Sequence, residues 1–263
     1  MRVVILQSYR EEGVAEWMQR CLASVVGWAA HQGYEYRFLG DTLFGLLPAW
    51  YLDKVGERLP MATDLARLLW LQQVLREDNV DVAVWLDADT LVFAPDAWRV
   101  QLDQDCVFGC ERWLQKAAKG NGYKIYRNVH NAYCGFQKRS VTLPFLIDRV
   151  QHLVRQVDTS RVPLQFVGPK LLTSLHNTVQ FALDPRAGAI SPLLRAAVLT
   201  PGHEKVLASY RRDAAVPLCA ANLCASLVQD AEMDGQMDAQ MDVQMDRPMD
   251  ALVDALLDYS QGL

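Results

Sequence analysis

The sequence predicts an α/β domain whose mostly parallel sheet is covered by helices on both faces. Three observations carry this expectation. Short continuous apolar runs, Val3-Val4-Ile5-Leu6 and Val82-Ala83-Val84-Trp85-Leu86, have the composition of strands buried on both sides. Segments of helical spacing alternate with them, which is the pattern of strand-crossover-strand units. A length of 263 residues, 51% of them hydrophobic and 22% charged, is enough to bury a core and excludes a wholly disordered chain.

After the first strand, Val14, Trp17, Cys21, Val25 and Trp28 fall on one helical face, and Gly33 ends that helix. Residues 34–39 read as the next strand. Pro60 precedes a helix predicted over 62–77, with Leu65, Leu68, Leu69 and Leu75 inward. Val82 to Leu86 follow as a central strand, and Cys106 to Cys110 and Ala132 to Phe136 as two more. The clearest amphipathic helix is expected over 142–157, where Leu143, Leu146, Ile147, Val150, Leu153, Val154 and Val157 share a face and Pro144 lies in the first turn. Between Lys116 and Arg127, the stretch Lys119-Gly120-Asn121-Gly122-Tyr123-Lys124 is a Gly-rich, basic break, read as a solvated loop or as a loop over an anionic ligand.

Charge divides the chain. Residues 229–263 carry nine acids and one base, Arg247, a net of −8 against −5 for the whole, which leaves +3 for residues 1–228. The division predicts a folded body over 1–228 and an acidic tail over 229–263. The body is too weakly basic for a dedicated nucleic-acid surface, but it has room for a local basic pocket around a phosphorylated ligand. In the tail, Met-Asp recurs every four residues from Met233 to Met249. Low apolar content, Gly235 and Pro248 predict a poorly ordered linker, then a short helix over 251–259. On this reading the tail is dispensable, and a chain ending near Leu227 folds. No apolar run reaches the roughly 20 residues of a membrane span. The opening Met1 to Arg10 is not a secretory signal, so a cytoplasmic location is expected. The six cysteines show no zinc spacing and read as buried free thiols.

The chemistry is concentrated in Trp85-Leu86-Asp87-Ala88-Asp89-Thr90-Leu91-Val92-Phe93. A buried strand leads straight into two carboxylates one residue apart. In an open α/β sheet, ligands bind at the carboxyl ends of strands, and paired carboxylates there suit a hard divalent cation. Upstream, Asp64 and Arg67 are three residues apart, so they share a helical face near its N-terminus. Arg67 suits a bidentate contact to phosphate and Asp64 suits sugar hydroxyls; a surface ion pair between the two is the plainer possibility.

These segments together resemble nucleotide-sugar-dependent glycosyltransferases of the GT-A fold. Asp64-Leu65-Ala66-Arg67 and the Trp85 to Phe93 run are similar to the (S/T)D-x-x-R helix and the DXD strand of the mannosyl- and galactosyltransferase-like group. Asn131-Ala132 with Phe136, and Val167-Gly168-Pro169-Lys170-Leu171-Leu172-Thr173, resemble its later segments, so the likeness covers roughly residues 1–182. The resemblance implies a single Rossmann-like GT-A domain followed by the acidic tail. It implies transfer of a sugar from a UDP- or GDP-sugar to an acceptor hydroxyl, with retention, the acceptor being a sugar, a lipid-linked glycan or a protein. Asp87 and Asp89 would hold Mn²⁺ or Mg²⁺ on the donor diphosphate. Arg67 and Asp64 would meet donor phosphate or sugar, Gln7, Ser8 and Tyr9 the nucleoside, and Asn131 the donor. The group's C-terminal His motif is absent, and His203 in Thr200-Pro201-Gly202-His203 stands in as the third metal ligand. Two other readings compete. An aspartyl-nucleophile phosphatase of the haloacid-dehalogenase type needs Thr four residues after the first Asp, whereas Thr90 is three after Asp87. A non-catalytic nucleotide-sugar-binding or scaffold protein would use the acidic tail to recruit a basic partner.

Overall fold

The computed structural model describes residues 1–118, 122–224 and 242–263, with side chains in the last stretch from residue 249. Strand β1 (Val3–Gln7) is buried at every position. It leads to helix α1 (Glu16–Gln32), which ends where Gly33 adopts φ 72°, the left-handed conformation that glycine adopts without strain. Strand β2 (Glu35–Phe38) follows, then helices α2 (Ala49–Val55) and α3 (Leu59–Leu75). Pro60 lies in the first turn of α3, so that helix begins two to three residues before the predicted start.

Strand β3 (Val82–Leu86) matches its apolar run end to end, and β4 (Thr90–Val92) comes three residues later. Strands β5 (Cys106–Lys116) and β6 (Tyr123–Gln137) form a hairpin much longer than the two short strands expected. Helix α4 (Thr142–Gln156) has the predicted amphipathic face, and α5 (Pro169–Val179) precedes β7 (Ala182–Asp184) and β8 (Ala187–Ala189). Helices α6 (Pro192–Leu199) and α7 (Glu204–Asp213), strand β9 (Ala220–Asn222) and helix α8 (Asp242–Leu257) complete the described chain.

The main sheet has the order β2-β1-β3-β6-β5-β7. Three of its five pairings are parallel, as expected of an α/β sheet; β6 pairs antiparallel with both β3 and β5. The antiparallel insertion follows from the hairpin, because a short turn can only return a strand antiparallel to its partner. One face packs against α2, α3 and α4 through Met61, Leu65, Leu71, Leu146 and Val150. The other packs against α1 and, beyond it, a three-stranded sheet β4-β9-β8.

The C-terminal segment departs from expectation. Helix α8 begins at Asp242, before the predicted start at 251, and runs through Pro248. Leu252, Val253 and Leu256 are fully buried in the α1 face of the core, and Leu263 is nearly so. Leu263 also exchanges two backbone hydrogen bonds with Leu218 (3.0 and 2.8 Å). The Leu252, Val253 and Leu256 triplet supplies the apolar stripe that the surrounding acids obscure in the sequence. Of the linker predicted over 229–250, residues 242–250 are helical instead, and residues 229–241, like the Lys119 to Asn121 part of the Gly-rich break, lie outside the described residues.

Candidate active site

Asp87 and Asp89 occupy the connection between the two sheets, since β3 ends at Leu86 and β4 begins at Thr90. Three hydrogen bonds fix the backbone there. Asp87 N–H donates to the Ala132 carbonyl (2.8 Å), Thr90 N–H donates to the Asp87 carbonyl (3.0 Å), and Gln7 Nε2 donates to that same carbonyl (3.1 Å). Both aspartates are half-buried.

Asp87 is held on one oxygen. Its Oδ1 accepts from Trp85 Nε1 at 2.6 Å and from Arg67 Nη1 at 2.9 Å. Its Oδ2 receives no hydrogen bond among the described residues and is left to bind something else. Arg67 reaches Asp87 from α3, and the same Nη1 donates to the Asn131 carbonyl at 2.8 Å. Its guanidinium lies 5.3 Å from the Trp85 ring centroid, and Nη2 lies 3.2 Å from Asp64 Oδ1. Asn131 Nδ2 donates to Asp64 Oδ1 at 2.8 Å. The expected pairing of Asp64 with Arg67 therefore forms, but both residues are only 5% exposed, and Asp87 and Asn131 complete the group. It is a buried network and not a surface ion pair.

Burial pushes the Asp64 carboxyl up to about 6, against the pull of Arg67 and the Asn131 hydrogen bond. Burial also opposes the charge on Arg67, but Asp87 and Asp64 outweigh it and hold Arg67 above its ordinary value. Two backbone features make this crowding possible. A Cβ on Gly168 would stand 2.5 Å from Asp64 Oδ2, so only glycine lets the start of α5 close over that carboxylate. In the β5–β6 pairing, the register jumps from Phe108 opposite Cys134 to Gly109 opposite His130. Residues 131–133 thus bulge out of the β5 ladder, which delivers the Asn131 side chain to Asp64, its carbonyl to Arg67 and the Ala132 carbonyl to Asp87.

Asp89 is positioned from the other sheet. Its Oδ1 accepts from Asn222 Nδ2 at 2.6 Å, and Leu223 N–H donates to its carbonyl at 2.9 Å. Asn222 Oδ1 accepts from Cys224 N–H at 2.7 Å, with Cys224 at φ 57°. Asn222 was not read as a site residue from sequence. The available signal was a single polar residue inside the apolar run Leu218-Cys219-Ala220-Ala221-Asn222-Leu223-Cys224.

The remaining predicted residues divide. Gln7 is fully buried, and besides donating to Asp87 it accepts from the Tyr36 hydroxyl at 3.2 Å. It therefore supports the aspartate turn from below and presents no atom to solvent. Ser8 and Tyr9, at the same strand end, are half-exposed, and Ser8 Oγ donates to the Gly40 carbonyl at 3.4 Å. His203 caps the start of α7, where its Nδ1 lies 3.2 Å from the Thr200 carbonyl. It does not join the two aspartates: among the described residues no three His, Cys, Asp or Glu side chains are grouped to hold a metal. The tight turn from Thr200 to Glu204 keeps the ring where it is.

The donor chemistry fits a hard divalent cation. Asp87 Oδ2 and the Asp89 carboxylate are anionic oxygens at one strand end, and Arg67 and Trp85 restrain Asp87 through the other oxygen.

No protein-family model matches the chain, and no curated protein matches it by sequence. Solved structures do match it in fold. A glycosyltransferase involved in glycosylation of the major capsid of PBCV-1 superposes with a TM-score of 0.50 at 13% identity, over 89% of this chain and 100% of that one. The galactosyltransferase LgtC, in complex with donor and acceptor sugar analogues, matches with a TM-score of 0.47 at 13% identity, over 84% and 87%. The apo-form glycosyltransferase GlyE of Streptococcus pneumoniae TIGR4 matches with a TM-score of 0.41 at 11% identity, over 84% and 54%. The shared architecture is the GT-A glycosyltransferase fold.

Proposed function

We propose that this chain is a metal-dependent glycosyltransferase that moves a sugar from a nucleotide-sugar donor to an acceptor hydroxyl. The observation that carries the reading is the placement of Asp87 and Asp89 between the two sheets, with Arg67 fixing one oxygen of Asp87 and leaving the other open. Asp87 and Asp89 would hold Mn²⁺ or Mg²⁺, and the bound cation supplies positive charge to the diphosphate that leaves. Asn222 keeps the Asp89 carboxylate oriented through its Nδ2. Arg67 holds Asp87 in its ligating orientation and adds a cation that needs no reorganisation as charge develops. Asp64 and Asn131, buried behind Arg67, would act on the donor through that arginine and Asp87, and Ser8 and Tyr9 would flank the nucleoside. Retention of anomeric configuration is part of the proposal on the sequence resemblance, and a UDP- or GDP-sugar is the donor class. Among the described residues no helix is long and apolar enough to cross a membrane, and we place the reaction in the cytoplasm.

The test is a melting screen with UDP-, GDP- and CMP-sugars, each with and without Mn²⁺. One sugar nucleotide is expected to raise the melting temperature in a Mn²⁺-dependent way and to be slowly hydrolysed. No stabilisation by any nucleotide, with or without Mn²⁺, would sink the assignment. The anomeric proton coupling of the first transfer product decides retention.

A further inference from the structure

The β5–β6 hairpin extends well beyond the main sheet, and its two faces differ. The inner face is packed. Leu114 is buried, Ile125 and Tyr123 lie against the α1-side core, and the Arg112 guanidinium stacks 4.1 Å from the Tyr210 ring of α7. The outer face has no such cover. Cross-strand register places Glu111 opposite Asn128, Trp113 opposite Tyr126 and Gln115 opposite Lys124, all on that face. Tyr126 is 43% exposed, Trp113 is half-exposed, and the Trp113 indole N–H has no partner among the described residues.

This face is continuous with the candidate active site. One step beyond Asn128 along the same face is His130, and the next two residues belong to the bulge that binds Arg67 and Asp87. His130 Nδ1 accepts from Ala132 N–H at 3.0 Å. Burial, against the charges of Glu111 and Asp87, holds its imidazole below the ordinary value, which puts both carboxylates within electrostatic reach of one ring. Glu111 Oε2 accepts from Asn128 Nδ2 at 2.8 Å. That bond leaves Glu111 Oε1 and the side-chain Oδ1 of Asn128 without a hydrogen bond among the described residues.

We propose that the outer face of this hairpin is the carbohydrate-binding platform for the acceptor, with Trp113 and Tyr126 stacking on a sugar ring and the Glu111–Asn128 pair binding hydroxyls of the unit nearer the aspartates. The proposal rests on the glycosyltransferase reading for the word acceptor, but the platform itself stands on the arrangement. A pyranose ring has a face of C–H groups and a rim of hydroxyls. It matches a flat aromatic surface whose polar edge is free, next to an oriented carboxylate and amide. Trp113 and Tyr126, directly opposite each other on this face, offer contiguous apolar surface beside the candidate site, as binding surfaces do. The spacing fits an oligosaccharide, because residues 111 and 113 on one face lie about 6.6–6.8 Å apart along the strand, somewhat more than one ring width. Lys124 Nζ sits over the Tyr126 ring, 4.4 Å from its centroid, so a sugar stacking on that face of Tyr126 would displace it.

The probe is a set of free mono- to tetrasaccharides of glucose, galactose, mannose and N-acetylglucosamine, read by saturation-transfer difference NMR on the full chain. At least one di- or trisaccharide is expected to receive saturation on the C–H protons of one ring face. Trp113→Ala should remove that signal and Trp113→Phe should restore most of it. Tyr126→Ala, at an exposed position, should weaken it at least threefold with an unchanged melting curve, and it stands in if Trp113→Ala does not fold. Absence of any sugar signal from the parent protein, or an undiminished signal in both alanine variants, overturns the platform. Mn²⁺-dependent nucleotide binding by the parent is measured in parallel. Nucleotide binding without sugar binding rejects the platform and keeps the transferase reading. Sugar binding through Trp113 without nucleotide binding does the reverse.

Discussion

At the scale of single residues, the two aspartates of the site are not equivalent. Asp87 carries the buried Arg67 and Trp85 on one oxygen, and Asp89 accepts the Asn222 amide on its Oδ1. Asp87→Asn is therefore expected to lower stability as well as metal binding, since it leaves Arg67 buried with Asp64 as its remaining carboxylate. Breaking a buried pair costs roughly 3–5 kcal/mol, and the partial exposure of Asp87 puts the expected loss at or below the lower end. Asp89→Asn should abolish Mn²⁺ binding measured calorimetrically with a nucleoside diphosphate present. An Asp87→Asn variant that melts as the parent does would contradict the structural role of that carboxylate. Arg67→Ala, which a surface location would make harmless to folding, should destabilise strongly because Asp64 and Asp87 lose their shared cation. Asp64 supplies the pH dependence. Its folded-state value is raised to about 6, so the ionised form costs stability above that pH, and the cost is relieved as pH falls through about 6. Asp64→Asn should consequently melt higher than the parent near pH 8, by roughly 2–4 °C per kcal/mol relieved. The gap should shrink as pH falls below about 6 and close only near the ordinary carboxyl value of 3.8, and a gap that does not change with pH would show that the charge on Asp64 is not the cause.

At the scale of elements, what was legible in the sequence depended on periodicity. Helices α1, α3 and α4 and strands β1 and β3 were legible because each has a single apolar pattern over its whole length. The hairpin was under-read because its outer half, from Glu111 to Lys116 and from Tyr123 to Asn131, has neither a continuous apolar run nor a strict polar–apolar alternation. Strands β7, β8 and β9 have three residues each, too few for any period. Asp64, Arg67, Asp87 and Asp89 were found because their spacing is local. Asn222 was not, because its partner Asp89 is 133 residues away in the chain. The end of α8 was expected as a short helix over 251–259, but its early start and its docking were hidden by composition: a four-residue Asp repeat reads as a solvated tail, and the apolar residues that dock it are few. Its burial reverses the expectation for truncation. A chain ending near Leu227 would uncover the surface that Leu252, Val253, Leu256 and Leu263 fill. Leu256→Ala alone should cost roughly 2–5 kcal/mol, and the truncated chain should bind a hydrophobic dye or aggregate. A truncated chain with the parent's denaturation midpoint would mean that α8 contributes nothing to the fold.

At the scale of the whole molecule, the site lies where the two sheets meet, and this couples ligand binding to global stability. Asp87 follows β3 of the main sheet and Asp89 precedes β4 of the small one, and β4 pairs with β9, which carries Asn222. Leu91, Val92, Ala220 and Ala221 of that small sheet share one apolar cluster with α1 and with Leu252 and Val253 of α8. A ligand that bridges both aspartates therefore restrains the main sheet, the small sheet and the C-terminal helix together. Cation and nucleoside diphosphate are expected to raise the temperature of one cooperative transition and not to split it into two. The size follows from mass action: at a hundredfold excess over Kd the gain is about 2.7 kcal/mol, or several degrees for a chain of this length. Mn²⁺ alone should give little, since two carboxylates leave most coordination positions to water. The nucleotide alone should also give little, because its diphosphate would face Asp87 and Asp89 without a cation between them. The measurement is a calorimetric scan under four conditions: neither ligand, each alone, and both. A large shift with both, and shifts with each alone that sum to much less, is the expected cooperative result. Additive shifts would place the cation and the nucleotide at separate positions and remove the bridging role of the two aspartates. The same four scans on Asp89→Asn should show no shift with both ligands, because the remaining carboxylate, Asp87, is already half committed to Arg67 and cannot hold the cation alone.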